Sequence, residues 1–393
     1  MIVAAGATLA VCAVGLALLR LTVAAPQHCP EITPELLETS AAASAEWIEI
    51  AQYPDGRYVY EYNADTDSFP NDYNVVRHAG VTMSLYQAVA LGDKSRLHAA
   101  DLGMAWMQAN LIEHDDWVAL QNRDTGRVKL GASSLMLAGL TQRRLATNDP
   151  IYDDLMKQLA RFLVVMQLPD GAMLNFWDPN TGKPDPSVRS RYATGEALWA
   201  LAQMHRHFPN DGWDEPSWRI ADYLALHRDE VEGLNFPPWP DQWAAYSLSE
   251  MADWPLKEHH IEYARALAQR FGFLIRVESQ RTGGVINEPF HGRQTRAAGL
   301  GTWVEGLTSM WRLASTDERL ASLEPKLAER AICGAGILAS RQVSSDASGA
   351  WPSPALAAGA WFRDGITRMD DQQHALSGLA LTQAILAAEE DIP

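Results

Sequence analysis

The sequence has few cysteines and a deficit of positive charge. Only three of its 393 residues are cysteines, and 32 lysines and arginines stand against 49 aspartates and glutamates, for a formal net charge of −17. A surface that acidic repels phosphate backbones, which argues against nucleic acid as a partner. The sequence also lacks a glycine-rich phosphate loop, a G-x-S-x-G elbow, a cysteine–histidine nucleophile pattern and metal-ligand spacings. We therefore predict neither a cofactor nor a metal.

The beginning of the chain is apolar. Residues 1–19 carry no charge, and the run ends at Arg20. A run of about 20 apolar residues is long enough to cross a bilayer. We interpret residues 1–25 as a transmembrane anchor, which makes the membrane a partner. A cleaved signal sequence is the alternative, although no positive segment precedes the run and Pro26 follows it. Either interpretation exports residues 26–393.

Export bears on the two cysteines outside this run, Cys29 and Cys333. Two thiols in an oxidising compartment can form a disulfide. Two buried, unpaired cysteines are the simpler expectation, and the sequence leaves the pairing open.

Five glutamines mark an internal repeat. Each ends a helix-like segment, and in the clearest copies it precedes two spacer residues, a turn with glycine and an extended stretch, as in VMQLPDGAMLNFW. They are Gln52, Gln108, Gln167, Gln280 and Gln342, with separations of 56, 59, 113 and 62 residues. Because 113 is close to two periods, a degenerate copy is expected near residue 224. Six copies then account for almost all of the chain after the apolar run.

Each period contains two helical patterns. An amphipathic, charged pattern precedes the glutamine, and it covers residues 34–51, 95–112, 150–167, 215–229, 257–279 and 322–341. A pattern richer in small and apolar residues follows the extended stretch, and it covers 75–92, 131–146, 191–207, 241–253, 295–314 and 371–388. This asymmetry indicates two concentric rings, since outer helices face water on one side and inner helices are covered on nearly all sides.

Twelve helices in six hairpins resemble the (α/α)6 toroid of six-hairpin glycosidases. The glutamine repeats also resemble the QW-type repeats of α/α-toroid terpene cyclases, but the sequence has no DxDD or DDxxD run. The resemblance predicts an all-α (α/α)6 toroid over residues 26–393, preceded by an N-terminal hydrophobic helix. It also implies that substrate binds at the mouth where the inner helices begin. A superhelical array of the TPR kind is the rival, but its repeats are shorter, near 34 residues.

The first turns of the inner helices carry the candidate site residues. Ring closure would bring Arg77 and His78 of the first inner helix beside the DDQQH segment of the last. An arginine or histidine beside a carboxylate shifts the pKa of both groups, which suits acid–base chemistry. The catalytic candidates are Asp371, Asp370, Glu305, Glu196, His78, His374 and Asp241. The substrate-binding candidates are Asn74, Arg77, Tyr73, Arg191, Tyr192, Trp239, Trp243, Arg296, Trp303, Arg368 and Gln373.

Structural explanations stand beside these roles. Asp370 and Asp371 precede a helix, where acidic caps are ordinary. A buried histidine bonded to an aspartate could simply lock the ring shut. Glu196 and Glu305 lie in apolar helices, where an unpaired carboxylate is costly, so ion pairs with Arg191 or Arg296 would also explain them.

We expect a carbohydrate-active protein, most simply a glycoside hydrolase. One carboxyl would act as the acid, from Glu196, Glu305 or Asp241, and the second would be Asp370 or Asp371. The four arginines among the binding candidates favour an anionic sugar, and the aromatic ones offer stacking surfaces. A sugar epimerase or lyase with His78 and His374 as bases is an alternative. The non-enzymatic alternative is a glycan-binding or scaffold subunit beside a membrane-protein partner.

Overall fold

The computed structural model describes residues 2–22, 25–70, 72–234 and 236–390. In chain order its α-helices are α1 (Ile2–Thr22), α2 (Pro34–Ile50), α3 (Val75–Ala90), α4 (Leu97–Gln108), α5 (Leu130–Thr147), α6 (Asp153–Val165), α7 (Ala193–His207), α8 (Asp214–Leu226), α9 (Arg228–Val231), α10 (Gln242–Glu250), α11 (Glu258–Glu278), α12 (Gly284–His291), α13 (Ala297–Ala314), α14 (Glu324–Arg341), α15 (Ser345–Ser348), α16 (Pro354–Ala357) and α17 (Met369–Glu390). Single 3₁₀ turns cover Lys94–Arg96, Pro150–Tyr152 and Ala321–Leu323.

Twelve of these helices form two concentric rings. The inner ring is α3, α5, α7, α10, α13 and α17, and each packs on the next, with α17 returning to α3. The outer ring is α2, α4, α6, α8, α11 and α14. The predicted helices are confirmed to within a few residues at their ends, and so is the closure of the ring.

Burial separates the rings as the sequence pattern requires. In inner helix α5 every residue from Leu130 to Thr141 is buried, whereas outer helix α6 buries one apolar stripe that includes Leu159 and Phe162. Small residues let the inner helices approach one another. A Cβ at Gly301 of α13 would lie 2.4 Å from the backbone carbon of His374 in α17, so only glycine fits there.

Three of the five repeated glutamines connect neighbouring outer helices. The side-chain amide of Gln52 donates to the carbonyl of Ala99, at the start of α4, over 3.0 Å. Gln167 donates in the same way to Pro216 in α8, and Gln342 donates to Ser40 in α2, each over 2.9 Å. The last of these bonds joins the two ends of the ring. The repeat therefore reflects a recurring hydrogen bond between hairpins.

Short strands lie on the side where the inner helices begin. Strand β1 (Glu61–Asn63) pairs antiparallel with β7 (Ile366–Arg368), so that Glu61 lies opposite Arg368. A five-stranded antiparallel sheet has the order β2 (Leu111–His114), β3 (Trp117–Asn122), β4 (Arg127–Lys129), β5 (Phe176–Asp178) and β6 (Lys183–Asp185). The first pair fastens the beginning of the ring to its end.

The N-terminal segment is attached to the ring by a disulfide. Cys29 and Cys333 are bonded, with their Cα atoms 4.8 Å apart, so the expectation of two unpaired cysteines was wrong. Among the described residues, no helix, α1 included, is both long and apolar enough to span a membrane. The transmembrane interpretation of residues 1–25 thus gains no support from the structure.

Candidate active site

A cleft opens at the N-terminal ends of the inner helices. Its volume is about 590 Å³, within the range of ligand sites. Side chains from α3, α7, α10, α13 and α17 line it, together with the loop at 237–240 and parts of α5 and α11. Ten of the predicted site residues lie in its wall: Arg77, Tyr192, Glu196, Trp239, Trp243, Trp303, Arg368, Asp370, Gln373 and His374.

The start of α3 was expected to form one wall with Asn74, Arg77 and His78, and the structure separates them. Asn74 is the N-cap, since its side-chain oxygen accepts hydrogen bonds from the backbone of Val76 and Arg77. Of the three, Arg77 alone lines the cleft. The candidate role of Asn74 as a binding residue is therefore better explained by capping.

His78 faces away from the cleft, towards outer helix α4. Its Nε2 lies 2.9 Å from the carbonyl of Gly103, and its Nδ1 lies 2.6 Å from the hydroxyl of Tyr73. A carbonyl only accepts, so Nε2 carries the proton and Nδ1 accepts from Tyr73. Complete burial lowers the pKa of His78 to about 4. Neither His78 nor Tyr73 lies in the cleft wall, and both serve instead to join the two rings.

Asp370 lies in the cleft wall between two arginines. Its carboxylate is 3.3 Å from Nε of Arg77 and 3.2 Å from Nε of Arg368. The closure of the ring thus brings Arg77 beside Asp370, as the sequence predicted.

The neighbouring Asp371 points away from the cleft and fastens α17 to α13. It accepts hydrogen bonds from Nη2 of Arg296 (2.6 Å), from the backbone N–H of Ala298 (3.0 Å) and from that of Arg368 (3.2 Å). The same arrangement takes Arg296 out of the cleft. For this aspartate the alternative of a capping role fits the structure better than catalysis.

Glu196 is the carboxyl group with the fewest partners in the cleft. It is 96% buried in α7, and its carboxyl has no hydrogen-bond or ion-pair partner among the described residues. It lies against Gly131 of α5, where an added Cβ would be 2.2 Å from Oε2. Burial, with a smaller effect from Asp241, raises the pKa of Glu196 to about 8. The group is therefore protonated at neutral pH, and it is not paired with Arg191.

Asp241 is a structural cap outside the cleft wall. It accepts hydrogen bonds from the backbone N–H groups of Trp243 and Ala244, at 3.0 and 3.1 Å, and it pairs with the buried Arg228. Both carboxylate oxygens of Asp241 are therefore already bonded to other groups of the protein. This arrangement speaks against Asp241 as the catalytic acid.

Glu305 and His374 form a buried pair at the floor of the cleft. Oε2 of Glu305 lies 2.9 Å from Nδ1 of His374, and Glu305 is not bonded to Arg296. Burial raises the pKa of Glu305. Burial alone would lower the pKa of His374, but the negative charge of Glu305 raises it overall. His374 lines the cleft and Glu305 lies behind it.

Aromatic rings form another part of the cleft wall. Trp239 packs edge-on against Tyr192, with 5.4 Å between ring centroids, and the guanidinium of Arg191 lies 5.0 Å from its ring. Trp243 is buried and stacks with Trp199. Trp239, Tyr192 and Trp303 are thus the surfaces on which a sugar ring could stack.

One charged residue of the cleft, among those that the structure describes, was missed by the sequence analysis. Arg270 belongs to outer helix α11, yet it lines the cleft, and its Nε has no hydrogen-bond partner in the described part of the chain. Burial lowers the pKa of Arg270. The cleft was predicted from the first turns of the inner helices alone, and the amphipathic pattern of α11 does not indicate that Arg270 faces it.

One group in the described ranges has the composition of a metal site. Asp222, His259 and His260 lie on outer helices, away from the cleft, with Oδ1 of Asp222 within 2.7 and 3.0 Å of the two Nε2 atoms. Nδ1 of His260 accepts a hydrogen bond from the backbone of Lys257, so its Nε2 carries the proton and is unsuited to a metal. The ammonium of Lys257 also lies 2.9 Å from Asp222. We interpret the group as an ion-pair cluster, in which His260 is buried.

Comparison with solved structures identifies the architecture. No protein-family model and no curated protein matches the chain. An inactive variant of an α-1,6-mannanase from Salegentibacter sp., in complex with α-1,6-mannotriose, aligns with a TM-score of 0.62 and 13% identity over 90% of this chain and 99% of that one. The chain is a six-hairpin (α/α)6 toroid.

Two further structural neighbours show that enzymes with different reactions share this toroid. Cellobiose 2-epimerase from Spirochaeta thermophila aligns with a TM-score of 0.59 and 14% identity over 90% of this chain and 98% of that one. An unsaturated glucuronyl hydrolase specific for heparin aligns with a TM-score of 0.61 and 13% identity over 92% and 99%. The fold is thus shared by hydrolases and an epimerase, and the reaction has to be argued from the site itself.

Proposed function

We propose that the chain is a carbohydrate-active enzyme that hydrolyses a glycosidic bond in the cleft, with Glu196 as the general acid. The observation that carries this proposal is the state of Glu196: a buried carboxyl without a partner among the described residues, with a pKa of about 8, that faces the same cleft as Asp370. A group protonated at neutral pH can donate its proton to the leaving oxygen of a sugar.

Asp370 is the second carboxyl. It forms ion pairs with Arg77 and Arg368, and a carboxylate at this position can activate water or attack the sugar carbon itself. Glu196 of α7 and Asp370 of α17 both line the cleft, and these two helices stand opposite each other in the inner ring of six. This placement suits action on opposite sides of one bond.

An anionic sugar is the substrate class that the charges favour. Arg77 and Arg368 are occupied by Asp370, and Arg296 by Asp371. Arg270 lines the cleft without an ion pair among the described residues, which leaves its guanidinium for a substrate carboxylate or sulfate. Trp239 and Trp303 would stack on the rings of such a sugar.

The test is proton NMR of the protein in D₂O with a panel of neutral and acidic oligosaccharides. Hydrolysis would appear as new reducing ends that are lost in Glu196→Gln and in Asp370→Asn. Glu329→Gln is the matched control, since Glu329 is on the surface and 67% exposed. Spectra that stay unchanged while ligand signals broaden would favour the non-catalytic glycan-binding subunit, and an absence of binding would overturn the carbohydrate assignment.

A sugar epimerase is the second candidate, and the Glu305–His374 pair favours it. His374 lines the cleft and is oriented by a buried carboxyl, an arrangement suited to a base that removes a proton from sugar carbon. His78 cannot be its partner base, because it faces α4. The same NMR experiment separates the two reactions, since proton exchange places deuterium on a sugar carbon and elimination gives a vinyl proton.

We also propose that residues 1–25 export the chain. The Cys29–Cys333 disulfide supports this, because such bonds are rare in reducing compartments. Fractionation of cells that express the full chain, with thiol labelling before and after reduction, tests the proposal. A cytosolic, fully reduced protein would contradict it, and a soluble exported product without residues 1–25 would favour the signal sequence over the anchor.

A further inference from the structure

Four polar side chains meet inside the inner ring, and the proposed hydrolysis uses none of them. They come from four different helices: Gln87 from α3, Tyr246 from α10, Glu305 from α13 and Ser377 from α17. Each is at least 94% buried. The hydroxyl of Tyr246 lies within hydrogen-bonding reach of Gln87, Glu305 and Ser377, and Gln87 and Tyr246 line the same cavity.

Each of these side chains has an unsatisfied atom. Oε1 of Gln87, the hydroxyl of Tyr246, Oε1 of Glu305 and Oγ of Ser377 make no well-formed hydrogen bond to any described residue. Buried polar atoms are almost always hydrogen-bonded, and ordered water supplies the missing partners where several such atoms surround a small space. The four atoms thus form one polar cluster, in which water can supply the hydrogen bonds that direct contact between the side chains leaves unmade.

The cluster lies along the axis of the ring, between the cleft on one side and a second cavity on the other. At one end Glu305 holds Nδ1 of His374, and His374 lines the cleft. At the other end Gln87 and Tyr246 line a separate cavity of about 320 Å³, beside Trp311 and Arg312. That cavity lies at the C-terminal ends of the inner helices, opposite the cleft.

We propose that these side chains and bridging water molecules form a proton path along the axis of the ring, from Nδ1 of His374 to the far cavity. The path lets His374 exchange protons with solvent while a sugar fills the cleft. It deepens the second candidate reaction, since only an enzyme in which His374 takes up a substrate proton would use it in turnover.

The transfer is balanced in protons and involves no redox step. His374 accepts a proton at Nε2, which has no hydrogen bond to the described residues, and passes its Nδ1 proton to Oε2 of Glu305. Glu305 is a carboxylate before this transfer, becomes neutral and then gives the same proton up to water, and the Tyr246 hydroxyl accepts one proton as it donates another. When His374 returns its Nε2 proton to the sugar, a proton passes back along the path to Nδ1. Burial raises the pKa of Tyr246 well above its ordinary value, so it acts only as a neutral relay.

The groups that surround His374 are consistent with proton transfer from His374 to Glu305. Glu305 on α13 faces Nδ1, and Asp370 and Asp371 on its own helix add negative charge. From α10 it faces the uncharged ring of Trp243, at 6.0 Å between centroids. The positive imidazolium is thus stabilised until its proton leaves through Glu305.

The experiment needs no sugar. In protein labelled with ¹⁵N-histidine, NMR measures how fast the Nδ1 proton of His374 exchanges with water, with the signal assigned from His374→Gln. We expect Tyr246→Phe to slow this exchange at least tenfold. Tyr223→Phe, which also removes a buried hydroxyl but on outer helix α8, should leave the rate unchanged.

Gln87→Leu interrupts the same path from another helix and serves where Tyr246→Phe does not fold. Slower exchange in either folded variant, with the normal rate in Tyr223→Phe, supports the path. Exchange as fast as in the unchanged protein in both would overturn it. Because the readout is free of substrate, a failure here is distinct from a failure to process sugars.

Discussion

The two sides of the cleft hold carboxyl groups in opposite environments. On α7, Glu196 has apolar neighbours and Gly131 around it and no partner in the described residues, so burial favours its protonated form. On α17, Asp370 lies between Arg77 and Arg368 and forms ion pairs with both. Both are acidic residues in the first turn of an inner helix. The difference shows that the neighbours of a carboxyl, more than its position in the fold, decide whether it can act as acid or as base.

The largest effect on activity is expected from replacing either of the two carboxyl groups of the cleft. Glu196→Gln removes the proton donor and Asp370→Asn removes the charge, so each should lower kcat about 10²- to 10⁴-fold with the fold intact. Steady-state kinetics on the substrate identified by NMR would measure this, with Glu329→Gln as the surface control. Activity near that of the unchanged protein in either variant would contradict the assignment.

A second comparison is between Asp370 and Asp371, which we expect to have a structural role and not a catalytic one. Asp371→Asn should destabilise the protein by about 1–3 kcal/mol, because the substitution removes the charge that pairs with Arg296 and one of the two oxygens that accept from Arg296 and Ala298. Urea unfolding followed by circular dichroism measures the loss. Asp364→Asn, at an exposed position, is the control. An Asp371→Asn protein that is fully stable but inactive would instead show that Asp371 is catalytic.

The protonation of Glu196 should also appear as a pH dependence of stability. Its pKa is about 8 when folded against an ordinary value of 4.5, so between these values the folded state holds a proton that the unfolded state has lost. This group therefore lowers the free energy of unfolding as pH rises, by at most about 1.4 kcal/mol per pH unit. Unfolding of the unchanged protein and Glu196→Gln from pH 5 to 8 isolates the effect. Parallel curves would show that the folded pKa is ordinary.

The smallest effect concerns Arg270. Replacing it with glutamine should reduce the preference for an acidic over a neutral sugar about tenfold, equivalent to about 1.4 kcal/mol, because the cleft loses its unpaired cation. Competition between matched acidic and neutral substrates measures this ratio. Arg276→Gln on the same helix tests for a general effect of charge. An unchanged preference would mean that the acidic group binds elsewhere.

The sequence predicted the ring because the ring is built from repeated local patterns. The glutamine spacing and the contrast between charged and small-residue helices follow from burial on one side or on all sides, and the structure confirms them. The mouth and ten of its lining residues followed from the direction of the inner helices.

The sequence could not distinguish residues that share a helical turn but face different ways. Arg77 faces the cleft while His78 faces α4, and Asp370 faces the cleft while Asp371 faces α13. Consecutive helical residues are separated by about 100° of rotation, so an error of one position changes the surroundings completely. Arg270 lay on an outer helix, where the predicted rings gave no reason to search.

Titration of Glu196 tests the central claim most directly. In protein labelled with ¹³C at the glutamate side-chain carboxyl, the Glu196 signal, assigned by its loss in Glu196→Gln, can be followed from pH 4 to 10. The account predicts a midpoint near 8, with a proton available at neutral pH. A midpoint near the ordinary value of 4.5 would mean that Glu196 is ionised, and it would contradict the assignment of the general acid.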